Sequence, residues 1–184
     1  SANKVTLVSN TVISPSLLGA IGEFAGTLGE GKFEHIQYDA VSYAGMREAN
    51  MSNFGSRIIP SYDFSKAKTI VSVDADFLNS WLLSTEYTGQ YALTRNPDAA
   101  WMSKHIQFET VLSVTGSNAD YRGMIKPSEQ ANVLSYILGK FGVNAGVPSA
   151  LPKEAQAVAD AAVKALKASK GMSVVVSGSN NKAI

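Results

Sequence analysis

Apolar and polar positions alternate along the chain in two different periods, and the periods mark out the elements. Val5-Thr6-Leu7-Val8-Ser9 is a short run rich in β-branched residues, which predicts a buried strand. Ser14-Pro15 then has the form of an N-cap with proline in the first turn. Leu17, Leu18, Ile21, Phe24, Ala25 and Leu28 follow on one helical face, which stops at Gly29 and Gly31. His35 to Asp39 reads as a second strand, and Tyr43 to Phe54 as a second helix closing at Gly55.

Lys68 to Val73 carries the strongest apolar run and is the third strand. A helix is expected over Thr85 to Thr94, halting at Asn96-Pro97. His105 to Glu109 and Asp120 to Ile125 are the fourth and fifth strands. Pro127-Ser128 opens a helix with Leu134, Ile137, Leu138 and Phe141 on its stripe, ended by Gly142. Residues 142–152 form a connector rich in glycine, proline and small side chains. An alanine-rich helix over Lys153 to Ser169 leads to a sixth strand, Ser173 to Ser177, and a turn at Gly178 to Asn181.

Strands alternating with helices predict right-handed βαβ units and a mainly parallel sheet covered on both faces. The expected fold is α/β, a three-layer Rossmann-like domain with strand order 3-2-1-4-5. The segments Val5 to Asn10 and Ser173 to Gly178 are alike, 168 residues apart. That likeness suggests two similar halves. The expected organisation is then an α/β domain over 1–145, with 146–184 supplying the connector, the alanine-rich helix and the first strand of a second half. The start at Ser1, without an initiator Met or a signal-peptide core, suggests a piece of a longer protein.

Composition narrows the chemistry. The 184 residues carry 16 basic and 15 acidic side chains, a net charge of +1, which offers no broad field for a polyanion such as nucleic acid. With no cysteine in the sequence, disulfides, thiolate zinc sites and cysteine-held iron–sulfur clusters are excluded within these residues. No stretch approaches the length of an apolar membrane span.

The turn after the first strand, Ser9 to Ser14, lacks the glycines that let backbone approach a pyrophosphate. Asp39, placed where a ribose-binding acid would sit, therefore reads as a strand-end or capping residue. There is no G-x-S-x-G elbow, and His35 and His105 lie inside strands without metal-ligand spacing. Asp74 and Asp76 end the third strand, the place where open α/β sheets bind ligands. They could form a cation site or a general base. They could equally be a turn cap and a solvated or paired carboxylate. Trp81, Trp101 and the Tyr87–Tyr91 pair are core or interface anchors.

Three segments together carry a resemblance. They are Tyr38-Asp39-Ala40-Val41-Ser42-Tyr43, then Ile59 to Ala67 leading into Asp74-Ala75-Asp76-Phe77-Leu78, then Leu112 to Asp120. Their order and spacing resemble the molybdopterin-oxidoreductase-like region of the B subunit of alternative complex III, a bacterial quinol:electron-acceptor oxidoreductase. The stretch from Ala119-Asp120 to Lys126-Pro127 is shared more widely with molybdopterin enzymes. The resemblance implies a formate dehydrogenase/DMSO reductase-like domain, fused in its parent to a later ferredoxin-like region that holds iron–sulfur clusters. It implies a domain without the metal cofactor, partnered by other subunits of a membrane-bound respiratory complex on the periplasmic side of the inner membrane.

Molybdopterin enzymes typically end the central strand in Gly-x-Asn-Pro, where this chain has Asp74, Ala75, Asp76 and Phe77. Their later Pro-Gly-Thr-Asp, whose Asp binds guanine, corresponds to Pro127-Ser128-Glu129-Gln130. A carboxylate beside a pyrophosphate is repelled by about 4 kcal/mol at 4 Å for an effective dielectric near 20. The resemblance thus implies no catalytic residue and a vestigial cleft at Asp74, Asp76, Asn118 and Gln130. Its alternatives are a fragment of an active molybdopterin-dependent oxidoreductase, or an independent enzyme using Asp74, Asp76 and Asn118 on a small substrate or divalent ion.

Overall fold

A computed structural model describes residues 3–146, 148 and 150–184. The chain divides into two compact units, Ser1–Tyr43 and Ala44–Ile184.

The first unit is one βαβ crossover. Strand β1 (Val5–Ser9) pairs in parallel with β2 (Phe33–Gln37), Val5 opposite Phe33 and Ser9 opposite Gln37, and α1 (Pro15–Leu28) connects them. Helix α1 starts where the sequence predicts, with the Ser14 hydroxyl accepting from the Leu17 N–H and proline in the first turn. It ends at Gly29, whose φ of 87° suits a residue without a side chain. Phe24 meets Phe33 edge to face at 5.9 Å. No described residue of this unit is fully buried, as befits two strands and one helix.

The second unit holds α2 (Ala44–Phe54), β3 (Thr69–Val73), α3 (Ser84–Leu93), β4 (Lys104–Glu109), the single turn α4 (Val114–Ser117), β5 (Tyr121–Met124), α5 (Gln130–Gly139), α6 (Lys153–Ala168) and β6 (Ser173–Ser177). Its four strands are all parallel, in the order β5-β4-β3-β6. All five residues of β3 are buried, which agrees with its continuous apolar run.

The chain is thus α/β with parallel sheets, as the alternation predicts. The expected strand order is corrected. β1 and β2 pair with each other in their own two-stranded sheet, and β3 lies between β4 and β6. The reason is the alanine-rich helix. Ala155, Ala159 and Ala162 of α6 are fully buried against Val71, Val73, Ile106 and Phe108, and their small side chains let the helix lie close on the sheet. A parallel neighbour for β3 then follows directly after α6, with Thr69 opposite Ser173. Residues 153–177 therefore belong to the sheet of β3 to β5, and the boundary between compact units lies at Tyr43/Ala44, away from the expected residue 145.

The two faces of this sheet differ in character. One is the aliphatic core of α5 and α6, with Val133, Ile137 and Leu166. The other is aromatic: Phe64 stacks on Phe77 at 4.5 Å, and Tyr87, Tyr91 and His105 close around them. Trp81, Tyr87 and Tyr91 are therefore core residues of the second unit, all under 7% exposed, rather than surface anchors.

Candidate functional site

The C-terminal ends of β3 and β4 frame a cavity of about 370 Å³ within the second unit. Its polar walls are Asp74, Asp76, Gln107, Glu109, Thr110 and Ser113; Val111 and Pro127 complete the lining. Sequence reasoning placed Asp74 and Asp76 here. It missed Gln107 and Glu109, although the alternation His105-Ile106-Gln107-Phe108-Glu109 put all three polar residues on one face of β4.

Asp74 is the first residue beyond β3 and has a φ of 57°, a left-handed conformation that aspartate tolerates better than most side chains. Its N–H is bonded to the Phe108 carbonyl at 2.7 Å, and its Oδ2 accepts from Gln130 Nε2 at 2.7 Å. Burial pushes the Asp74 carboxyl above its ordinary pKa, the Gln130 bond works against this, and the nearby Glu109 charge adds to the rise. From the other side, the turn after β6 presses on the same backbone. A Cβ added to Gly178 would lie 2.0 Å from the Asp74 carbonyl oxygen, so only glycine fits there.

Asp76 is engaged in holding turns. Its Oδ1 accepts from the Thr115 hydroxyl at 2.7 Å and the Thr115 N–H at 3.1 Å. Its Oδ2 accepts from Asn79 Nδ2 and the Ser80 hydroxyl. Burial pushes its pKa up, but these hydrogen bonds outweigh that and hold the carboxyl below the usual range. The capping role, one of the two readings of this residue, matches its contacts.

Glu109 is 1% exposed. Arg122 Nε and the Ser113 hydroxyl donate to its carboxylate. Gly116 must be glycine for the same site to close, because a Cβ there would lie 1.9 Å from Glu109 Oε1.

The predicted cleft is only partly assembled. Asp74, Asp76 and Gln130 come together. Asn118 does not line the cavity: its Nδ2 donates to the Val114 carbonyl at 2.9 Å at the end of α4, and its own carbonyl accepts from the Tyr91 hydroxyl. Local hydrogen bonding to the preceding turn captures this side chain.

Two buried polar atoms on the cavity walls have no partner among the described residues: Gln107 Nε2 and Thr110 Oγ1. The other end of the Gln107 amide, Oε1, lies 3.4 Å from His105 Nε2. His105 is fully buried, its Nδ1 is 3.1 Å from the Tyr91 hydroxyl, and burial drives its pKa down to about 4. The ring is neutral at pH 7.

The first unit has a polar cluster of its own. Asp39 accepts from the N–H and the hydroxyl of Thr11, which lowers its pKa, and Gln37 accepts from the Val12 N–H at 2.8 Å. These bonds tie the turn after β1 to the end of β2, the capping role the sequence suggested for Asp39. His35 sits across from Ser9, 2.9 Å from its hydroxyl. Among the described residues, no group of three histidine, aspartate or glutamate side chains is spaced to hold a metal ion.

No protein-family model and no curated protein matches this chain in sequence.

Asp74 presents a carboxylate to the cavity, and two further carboxylates, Asp76 and Glu109, border the same space. The Gln130 amide is bonded to Asp74. What the arrangement offers is acceptor oxygens for a cation.

Proposed function

We propose that this chain is a non-catalytic, molybdopterin-oxidoreductase-like domain that serves as a scaffold in a membrane-bound quinol-oxidising complex of the alternative complex III type. In this reading the domain has a formate dehydrogenase/DMSO reductase-like ancestry. It buttresses a cluster-bearing region and docks against other subunits on the periplasmic side, while electrons travel through clusters outside these residues. The observation that carries the reading is the Asp74–Gln130 bond of 2.7 Å at the end of the central strand. The two positions at which the resemblance expects cofactor contacts are bonded to each other. The Asp74 carboxylate and the two beside it, Asp76 and Glu109, oppose any pyrophosphate.

The test is made in the assembled complex. Asp74→Ala should leave quinol oxidation within about twofold of the parent, as for a residue that touches no reacting group. Metal analysis of the same complex from a molybdenum-replete host should find no stoichiometric molybdenum attributable to this domain. A collapse of turnover with assembly intact, or one molybdenum per chain, would overturn the scaffold reading in favour of an active molybdopterin oxidoreductase.

A further inference from the structure

The two ends of the four-stranded sheet carry opposite charge. The C-terminal end gathers Asp74, Asp76 and Glu109, and the N-terminal end gathers lysines. Lys68 immediately precedes β3, and Lys104 opens β4. The Lys104 N–H donates to the Lys68 carbonyl at 2.9 Å and the Lys68 N–H to the Met172 carbonyl at 2.7 Å, so β3, β4 and β6 start level with one another. The Ser169 hydroxyl, just past α6, donates to the Thr69 hydroxyl at 2.7 Å. That bond brings the end of α6, with Lys167 and Lys170, to the same rim. A lysine at a helix C-terminus is ordinary, because it meets the negative end of the helix dipole. Lys68 and Lys104 stand at strand starts, where that account does not apply.

We propose that this rim of the second unit docks on an anionic lipid bilayer, adsorbed at the level of the headgroups. Among the described residues, none of Lys68, Lys104, Lys167 and Lys170 has an ion pair. Of the carboxylates on the segments leading into these strands, Asp63 and Asp120 already pair with Lys66 and Arg95, and Asp98 remains. Three of the ammoniums lie over rings instead: Lys68 over Trp101 at 5.7 Å, Lys104 over Tyr121 at 5.6 Å and Lys167 over Phe141 at 5.5 Å. Tyr121 and Phe141 are exposed, as are Met102 and Met172 beside the strand starts. Lipid phosphates meet the lysines, while the lysine stems, rings and thioethers reach the boundary of the acyl chains.

Other partners use less of what the rim presents. Single-stranded nucleic acid needs open ring faces on which its bases stack, and here an ammonium lies over each ring. A free phosphate or a strongly acidic peptide pairs with the lysines but leaves Phe141 and the two methionines in water. An apolar protein surface gives the lysines no counter-charge. The net charge of +1 supplies no long-range attraction, but lysines set along one rim act together within a Debye length, about 8 Å at physiological salt. None of this depends on the scaffold reading.

Co-sedimentation of the full chain with vesicles tests this, using pure phosphatidylcholine and phosphatidylcholine with about one-third phosphatidylglycerol. The anionic vesicles should bind the protein saturably, at least about tenfold more tightly than the neutral ones. A lysine close to an anionic surface contributes a factor of about five. Lys104→Gln combined with Lys167→Gln should therefore weaken binding about twentyfold. Lys153→Gln combined with Lys182→Gln removes the same charge from exposed positions at the other end of the sheet and should change binding less than about twofold. In the unaltered protein, brominated acyl chains should quench part of the tryptophan emission, and Trp101→Phe should abolish that quenching, because Trp81 is buried. Equal binding to both vesicle types, equal weakening by the two double variants, or binding without quenching of Trp101 would each overturn the proposal. Tighter binding of oligodeoxythymidylate or polyglutamate than of the anionic vesicles, at the same ionic strength, would overturn it in favour of a nucleic acid or an acidic protein.

Discussion

Strand β4 has two sides made from alternate residues of one short segment, and they are stabilised in opposite ways. Ile106 and Phe108 point into the aliphatic core under α6, where burial alone accounts for their placement. His105, Gln107 and Glu109 point to the other side and are just as buried. There each polar group needs its own answer. Glu109 has Arg122 and Ser113, His105 has Tyr91 and a neutral ring, and Gln107 has half an answer. The dry side tolerates any well-shaped hydrocarbon. The polar side holds only while every partner is present, because an unmet group in a low-dielectric interior loses its hydration without return. Among the described residues the accounting fails at Gln107 and Thr110 on the cavity wall and at the Tyr87 hydroxyl in the aromatic core, all on that side.

Truncating the dry side should have the largest effect. Phe108→Ala removes a fully buried ring and should cost about 3–5 kcal/mol, read from urea unfolding followed by the fluorescence of Trp81 and Trp101 in the second unit. A loss under about 1 kcal/mol would mean that the α6 face is not a packed core.

The next effect is set by pH. The folded-state pKa of His105 is lowered to about 4, against roughly 6.5 in an unfolded chain. The unfolded chain therefore takes up a proton at a pH where the native ring refuses it. His105 leaves stability untouched above about pH 6.5 and lowers it as the pH falls toward 4, by on the order of 2–3 kcal/mol at pH 4.5. Asp74, with its raised pKa, works in the opposite direction at acid pH and softens the slope. Ring chemical shifts should show His105 unprotonated at pH 5.5. A midpoint near 6 would show that the polar side is wetter than the dry side after all.

The smallest change comes from unpairing Glu109. Arg122→Ala leaves that buried carboxylate without its cation and should destabilise by about 2 kcal/mol, discounted because the arginine is itself 29% exposed. Adding Glu109→Gln to Arg122→Ala should recover part of the loss, since a neutral amide needs no cation. If the double variant is as unstable as the sum of the two single ones, the pair is not coupled and the contrast between the two sides weakens.

The elements themselves were legible in the sequence because their causes are local. Ser14-Pro15 starts α1, Gly29 stops it, and the β-branched run at Thr69–Val73 becomes a strand buried on both sides. Asp74 and Asp76 were legible as a site for the same kind of reason, since the end of a parallel strand is a fixed place in such folds. Gln107 and Glu109 were not. Alternation along His105 to Glu109 reports a period of two, and a strand whose polar side faces water has the same period as one whose polar side is buried under aromatics.

The sequence by itself determined where strands and helices begin and end, that the strands run parallel, and which end of them gathers carboxylates. The tertiary structure alone decided that β6 lies beside β3, that β1 and β2 form a separate pair, and that Asn118 turns back onto α4 instead of joining the cavity. The placement of β6 depends on which surfaces meet across about a hundred residues of chain, as when Val71 and Ala162 share one core cluster and Ile70 pairs with Val174. Local periodicity contains no record of such meetings, because burial and strand pairing are properties of two segments together and of neither one alone.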